Sequence, residues 1–129
     1  MKNLFKKIRL KNFNDSRGSL FFFQKNNFNI NRVFFINGKK GTSRGNHAHK
    51  KTRQILININ AKAKVTIYGK KCKKINLINS GDLIDLPKLT WARIDFIKEG
   101  FIAVICDKKY LKSDYINNYS EFIKITQLK

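Results

Sequence analysis

Apolar and polar side chains alternate at a period of two residues in several short stretches of the chain. In residues 54–60, Ile55, Ile57 and Ile59 fall on one face. In residues 63–68, small and apolar side chains alternate with Lys, Thr and Tyr in the same way. A period of two is that of a β-strand with one face in a core, because successive side chains of a strand point to opposite sides. The pattern therefore predicts strands in these stretches.

Eight stretches rich in Ile, Val and Phe are predicted strands, and Gly, Asn, Ser and Asp separate them as turn residues. Strands that recur roughly every 8–12 residues are typical of a sandwich or barrel and not of βαβ units. The predicted strands are residues 19–23, 32–36, 54–60, 63–68, 74–78, 83–86, 92–96 and 101–106.

The C-terminal part after Tyr110 is less regular. It could start a short helix with Ser113 as its N-cap, although two asparagines weaken that prediction. No internal repeat or boundary divides the chain, so residues 1–129 are expected to form a single all-β domain.

Composition limits the classes of protein that remain. With 42% hydrophobic residues and 11 Phe among 129 residues, the chain can bury a core. It lacks the apolar run of a signal peptide and any stretch approaching a membrane span, which favours a cytoplasmic protein. Cys72 and Cys106 match neither a C-x-x-C motif nor a disulfide framework, so we expect two reduced thiols.

The net charge of +20 suggests nucleic-acid binding, because Lys and Arg neutralise phosphates. However, the lysines are spread along the whole chain, and the chain is also rich in Asn, Ile and Phe. This is typical of a general compositional bias with Lys on the solvated surface. We therefore expect an anionic small molecule as ligand and no nucleic acid or membrane partner.

Two histidines are the only ones in the chain, and they are separated by one residue. The first motif places Gly41 six residues before His47, with His49 next and Gln54 after four intervening residues. A second motif runs from Gly81 through five residues to a proline. Together they resemble the two motifs of the cupin superfamily, which implies a small jelly-roll β-barrel with both imidazoles on one strand face.

Ligand counting argues against a metal. Gln54 occupies the position of the motif's glutamate, and Ala92 occupies that of its third histidine. Two imidazoles remain, whereas catalytic zinc and iron sites normally use three protein ligands. Asp82, Asp85 or Asp95 could in principle substitute for the missing ligand. We expect no metal and no other cofactor.

Two histidines without a metal are either packing residues or a proton-transfer pair. Imidazole titrates near neutral pH, so it can remove a proton and return it. Neighbouring cations favour the neutral, basic form of the ring. General acid–base chemistry is therefore the favoured interpretation.

Longer matches extend the resemblance to one enzyme family. The chain is similar to nucleoside-diphosphate-sugar 3,4-ketoisomerases, cupin enzymes acting on dTDP-4-keto-6-deoxyglucose. R-G-x-H-A-H-K and the later D-Y-I-x-x-Y are more specific than H-x-H alone. Family members often have Tyr where this chain has Phe34 or Phe35, and often His at Ala92. The matching stretches are residues 15–20, 31–36, 44–54, 86–91 and 110–122.

The resemblance implies that the keto group moves from C4 to C3 through an enediol(ate), in biosynthesis of a 3-amino-3,6-dideoxy sugar for surface glycans. It implies His49 as the base at C3 and His47 as its partner in the proton relay. Arg44 and Arg17 are candidates to hold the diphosphate or the oxyanion, since a guanidinium matches phosphate oxygens. Other candidates for substrate binding are Gln54, Lys50, Trp91 and Arg93.

Some of these roles have plain alternatives. Lys50 could be a solvated charge, Trp91 a core residue and Gln54 an ordinary strand residue. The resemblance also implies a homodimer with exchanged N-terminal strands, which suits the apolar residues 19–23. The remaining alternatives for function are a cupin 3,5-epimerase, which generally uses a His–Asp pair with a Tyr acid, a non-catalytic sugar-nucleotide-binding cupin, and a nucleic-acid-binding protein.

Overall fold

The computed structural model describes residues 5–25, 27–68 and 73–127. These residues form short β-strands throughout, followed by a C-terminal helix. The strands are β1 (Lys6–Arg9), β2 (Asn12–Asp15), β3 (Gly18–Phe21), β4 (Arg32–Gly38), β5 (Ser43–His49), β6 (Gln54–Asn58), β7 (Lys62–Tyr68), β8 (Lys73–Ile78), β9 (Asp82–Leu86), β10 (Trp91–Lys98), β11 (Gly100–Cys106) and β12 (Tyr115–Ile116), and the helix is α1 (Tyr119–Gln127).

Two five-stranded antiparallel sheets make up most of the fold. The first has the order β1-β9-β6-β11-β4, and the second has the order β12-β5-β10-β7-β8. Strands β2 and β3 form a separate hairpin near the N-terminus. Neighbours in each sheet are mostly distant in sequence, as in a jelly roll. The architecture confirms the predicted all-β class.

The main core lies between the two sheets and follows the predicted alternation. Leu56 points into this core from the first sheet, while Ile55 and Ile57 on the same strand pack on the opposite face. From the second sheet, Val65 and Ile67 pack inward. The period of two in the sequence therefore predicted correctly which side chains share a face.

The outer face of the first sheet is also partly covered. Phe21 at the end of the N-terminal hairpin, and Phe23 and Phe28 after it, pack against Ile55 and Ile57. This explains the apolar character of residues 19–23, of which only 19–21 lie in a strand. Leu20, on the other side of the hairpin, is 59% exposed.

The C-terminal helix covers the outer face of the second sheet, where Phe122 packs against Trp91 and Ile116. The predicted N-cap was wrong. Ser113 lies in a single 3-10 turn, Lys112–Asp114. The helix begins after Asn118, whose side-chain oxygen accepts a hydrogen bond of 3.0 Å from the backbone N–H of Glu121.

Two sequence expectations concern the cysteines and the membrane. Cys106 is a buried free thiol at the end of β11, whereas Cys72 lies outside the described residues. Of the helical segments that the structure describes, none is long and apolar enough to cross a membrane.

Candidate active site

A cavity of about 310 Å³ opens between the two sheets, within the size range of small-molecule sites. Its deeper wall is apolar and includes Leu56, Leu86, Ile94 and Val104. Its polar groups come mainly from β5 and the segments beside it. They are Asn37, Arg44, His47, His49, Thr52, Gln54, Thr90 and Tyr115.

A β-bulge in β5 decides which side chains reach this cavity. His47 lies opposite Ala92 and Gly45 lies opposite Arg93, so Asn46 is an extra residue in β5. Asn46 has φ +63° and Gly45 has φ +82°, the left-handed region that Asn and Gly adopt most easily. Strict alternation would place Arg44 and His47 on opposite faces. The bulge reverses the alternation and brings both to the cavity.

Trp91 supports this bulge from the outer side of the sheet. Its indole N–H donates a hydrogen bond of 3.1 Å to the side-chain oxygen of Asn46. The ring is only 3% exposed and packs against Tyr119 and Phe122 of the helix. Trp91 therefore stands behind the site and does not line the cavity.

His49 forms a buried pair with Asp114, which lies 65 residues later in the chain. The His49 Nδ1 atom is 2.9 Å from the Asp114 carboxylate. The carboxylate also accepts hydrogen bonds from the Thr52 hydroxyl at 2.5 Å and the Lys51 backbone N–H at 2.7 Å. Four groups from two distant segments are thus fixed together.

The charge on Asp114 determines the tautomer of His49. Burial alone would raise the pKa of Asp114, but hydrogen bonds from Thr52, His49 and Lys51 lower it below its usual value. An ionised carboxylate can only accept, so Nδ1 of His49 must carry the proton. Nε2 then presents a lone pair. It is buried without a hydrogen-bond partner among the described residues, on a ring that lines the cavity.

Both imidazoles are held neutral. Burial and the neighbouring His49 lower the pKa of His47 to about 4. Burial also lowers the pKa of His49 and outweighs the opposite effect of Asp114. The two rings lie edge to face with centroids 5.2 Å apart. At neutral pH the pair is therefore basic, as a proton-abstracting group must be.

The structure brings four of the predicted site residues together and leaves four outside the cavity. His47, His49, Arg44 and Gln54 line it. The other four lie elsewhere. Arg17 is paired with Asp15 on the exposed hairpin, Lys50 is exposed, Trp91 is behind the sheet, and Arg93 is paired with Asp95.

Two residues of the site had no assigned catalytic or binding role in the sequence interpretation. They are Asp114, the hydrogen-bond partner of His49, and Tyr115, which lines the cavity. Both belong to the D-Y-I-x-x-Y stretch, and β12 places Tyr115 directly opposite His49. The available indication was that this stretch and the histidine motif match the same enzyme family. The spacing of residues along the chain does not show that the two segments are in contact.

The carboxylates considered as substitute metal ligands are engaged elsewhere. Asp82 is paired with Arg9, Asp85 with Arg53, and Asp95 with Arg93. In the part of the chain that the structure describes, no three His, Cys, Asp or Glu side chains cluster as metal ligands do.

The second motif also has a structural role. Leu89 occupies the position of that motif's glycine and adopts φ +58°, which costs a non-glycine residue roughly 1–2 kcal/mol. Its backbone N–H donates a hydrogen bond of 2.7 Å to the carbonyl of His49. The turn between β9 and β10 thus holds the end of β5 in place, although it has a leucine at the motif's glycine position.

Known proteins are similar to this chain in sequence and in fold. A curated TDP-4-oxo-6-deoxy-alpha-D-glucose-3,4-oxoisomerase from Aneurinibacillus thermoaerophilus is 34% identical over 125 residues, covering 92% of this chain and 90% of that protein. A 3,4-ketoisomerase from Helicobacter canadensis is 26% identical with a TM-score of 0.87, over 95% of this chain and 97% of that one.

A third relative was solved with a sugar nucleotide. It is a histidine-to-asparagine mutant of the 3,4-ketoisomerase QdtA from Thermoanaerobacterium thermosaccharolyticum in complex with TDP-4-keto-6-deoxyglucose. It is 27% identical, with a TM-score of 0.90 over 100% of this chain and 97% of that one. These likenesses confirm the expected cupin-like fold and the expected enzyme class, an isomerase. The family model described as "FdtA: WxcM-like, C-terminal" matches residues 3–127, and the chain belongs to that family.

Proposed function

We propose that the protein converts dTDP-4-keto-6-deoxyglucose into its 3-keto isomer by acid–base catalysis with histidine. The observation that carries this proposal is the buried His49–Asp114 pair, whose free Nε2 lies on a cavity-lining ring. The 34% identity to a curated 3,4-oxoisomerase supports the substrate class.

The first step is removal of the C3 proton, which is acidified because it lies α to the C4 ketone. His49 Nε2 takes this proton, and the C–H electron pair forms the C3–C4 double bond of an enediol(ate). Asp114 keeps the imidazole oriented and stabilises the imidazolium that forms. The π electrons of the C4 ketone move onto the C4 oxygen, which takes up a proton. The second step returns the proton from His49 to C4, while the C3 hydroxyl gives its proton to the relay and its O–H electron pair forms the new ketone.

Neighbouring groups would hold the substrate for these steps. Arg44 reaches the cavity because of the bulge, and among the residues that the structure describes it is the only arginine that lines the cavity. Its guanidinium suits a diphosphate or a sugar oxygen. Gln54 is 9% exposed, and its amide N–H faces only the Cys106 sulfur at 3.5 Å. It can therefore donate to a sugar oxygen. His47, neutral beside His49, is the proposed partner in the relay.

The proposed product fits a biosynthetic role. A ketone at C3 is the group that a transaminase would convert to an amine. The protein would thus supply the precursor of a 3-amino-3,6-dideoxy sugar for surface glycans, in the cytoplasm where nucleotide sugars are made.

We also propose a homodimer with exchanged N-terminal strands. The hairpin exposes Phe13, Leu20 and Phe22, each between 45% and 59% exposed. A surface of this kind favours association. Arg17 lies in the same hairpin with its side chain 88% exposed. It would contact substrate only in the cavity of a second copy, so the proposed role of Arg17 depends on the dimer.

A cupin 3,5-epimerase is the second candidate. The observation that favours it is again the His–Asp pair, which is expected in that class. An epimerase would exchange the C5 proton as well as the C3 proton, and it would leave the ketone at C4. The position of exchange therefore separates the two reactions.

The first prediction concerns hydrogen exchange at carbon. Incubated with dTDP-4-keto-6-deoxyglucose in D2O, the protein is expected to form the 3-keto isomer with deuterium at C4, and to introduce deuterium at C3 of the recovered 4-keto substrate. Neither result should be sensitive to EDTA. Because a positioned base contributes about 100- to 10,000-fold, His49→Asn should lower kcat by about 1,000-fold. Proton NMR of the sugar measures both quantities.

The outcomes of this experiment are distinct. Exchange at C5 without a 3-keto product would favour the epimerase. Tight binding with neither exchange nor a 3-keto product would favour a non-catalytic binding protein. Full activity of His49→Asn would refute the assigned base. The melting temperature and the affinity for TDP of the variant show whether the fold and the nucleotide site are intact.

The second prediction concerns stability at acid pH. The native pKa of His47 is about 4, below the value of 6.5 expected when unfolded, so the unfolded chain binds the proton first. Stability is therefore fully present above pH 6.5 and falls as the pH drops toward 4. At about 1.4 kcal/mol per pKa unit the loss is at most about 3 kcal/mol, and less where water reaches the ring.

Urea unfolding between pH 7 and pH 4 measures this loss, and His47→Gln is the matched control because it lacks the titrating ring. The free energy of unfolding of the wild type should fall more steeply than that of the variant. Parallel curves for the two proteins would show that His47 is not held neutral by burial.

The third prediction concerns assembly. Light scattering after size-exclusion chromatography should give twice the chain mass of 15.1 kDa. Leu20→Lys should shift the protein toward the monomer, because it places a charge in the apolar hairpin surface. A wild-type mass of one chain at micromolar concentration would contradict the dimer.

A further inference from the structure

We propose that Tyr115 is a second catalytic residue, the acid that serves the two reacting sugar oxygens, and that Arg32 is the residue that positions it. This inference rests on the proposed ketoisomerase function and assigns a group to the half of the reaction that the histidine base does not perform.

Tyr115 is placed where a reacting sugar would lie. It pairs with His49 across β12 and β5, and its ring lines the cavity. The ring centroid is 4.3 Å from that of His49 and 5.0 Å from that of His47. A hydroxyl on this ring is thus carried beside both imidazoles.

The hydroxyl of Tyr115 is free to give its proton. Arg32 Nη2 donates to the Tyr115 oxygen at 3.1 Å. Because a guanidinium has no acceptor, the tyrosine oxygen must accept in this bond, and its own O–H stays available for another acceptor. No other described hydrogen bond uses that proton.

Arg32 is held in a fixed position for this purpose. Its guanidinium lies 4.8 Å from the ring centroid of Phe34 and 5.4 Å from that of Tyr110, so two aromatic faces enclose it. Its Nε is buried without a hydrogen-bond partner among the described residues. A buried donor without a partner costs stability, and a positive charge beside the Tyr115 hydroxyl gives a functional reason to tolerate it.

The reaction requires such a group. While His49 takes the C3 proton, the C4 oxygen must gain a proton as its π electrons move onto it, and Tyr115 supplies that proton. The resulting phenolate lies beside the positive Arg32, which stabilises it. Tyr115 then recovers a proton from the C3 hydroxyl, whose electron pair forms the new ketone, while His49 returns its proton to C4. Atoms and electrons balance without another reactant.

His47 is less suited to this donation. Burial and His49 keep its ring neutral at neutral pH, with a pKa of about 4. It can offer a hydrogen bond through its N–H group, but the imidazolium that would readily transfer a proton to oxygen is scarce. His49 therefore serves the two carbon atoms and Tyr115 the two oxygens.

The test compares kcat, KM and TDP affinity of the wild type, Tyr115→Phe and Arg32→Gln with dTDP-4-keto-6-deoxyglucose. Tyr115→Phe should lower kcat by about 100- to 1,000-fold, with KM and the Kd of TDP changed less than about threefold. Tyr119→Phe is the matched control, because it removes a hydroxyl from a tyrosine that packs against Trp91 and Phe122 on the outer face of the second sheet. This variant should retain wild-type kcat.

Arg32 requires a double-mutant cycle. Arg32→Gln should lower kcat in the wild type but have little further effect in Tyr115→Phe, because the arginine acts through the hydroxyl.

If Tyr115→Phe does not fold, 3,5-difluorotyrosine at position 115 keeps the ring and makes the phenol more acidic. The alkaline limb of kcat should then move to lower pH, which a structural role would not cause.

Each contrary result is informative. A kcat of Tyr115→Phe within threefold of an active wild type overturns the assignment of Tyr115 and leaves the ketoisomerase function intact. An unmoved alkaline limb in the fluorinated protein does the same. Additive effects of the two substitutions overturn the role of Arg32. A wild type that does not turn over this substrate ends the proposed function, and this inference with it.

Discussion

The hydrogen bond between His49 and Asp114 is the interaction on which the organisation of the site depends. It joins the end of β5 to a C-terminal segment 65 residues away, and the same carboxylate holds Lys51 and Thr52. Because the carboxylate is buried and ionised, it selects the tautomer of His49 that leaves Nε2 free. One contact thus fixes the path of the chain and leaves an unprotonated ring nitrogen on the cavity side. It also brings β12 alongside β5, which places Tyr115 beside both imidazoles.

The second constraint is the bulge at Gly45 and Asn46. A regular β5 would send Arg44 and His47 to opposite faces, so one of them would be lost from the cavity. Two residues that tolerate positive φ, adjacent in the sequence, allow the reversal. Trp91 then holds Asn46 from the outer face, beneath the C-terminal helix. The buried tryptophan and the polar site are therefore linked through the backbone of one strand.

Local pattern was sufficient to predict most of the fold but only part of the site. Alternation in residues 54–60 and 63–68 predicted the core faces, and H-x-H spacing placed His47 and His49 together. Asp114 could not be found this way, since its contact with His49 is set by tertiary packing. Alternation also does not reveal a bulge, although Gly45-Asn46 is a dipeptide that permits one. Ser113 was favoured as an N-cap on residue type alone, whereas Asn118 fits the start of the helix that actually forms.

The most direct test of this account is the protonation state of the His49 ring. Nitrogen-15 NMR of the two histidine side chains at pH 7, assigned with His47→Gln, reports which ring nitrogen carries the proton. The account predicts a neutral His49 ring with the proton on Nδ1, bonded to Asp114, and an unprotonated Nε2. A proton on Nε2, in either the other neutral tautomer or an imidazolium, would contradict it, because no lone pair would then be available to remove a proton from the sugar.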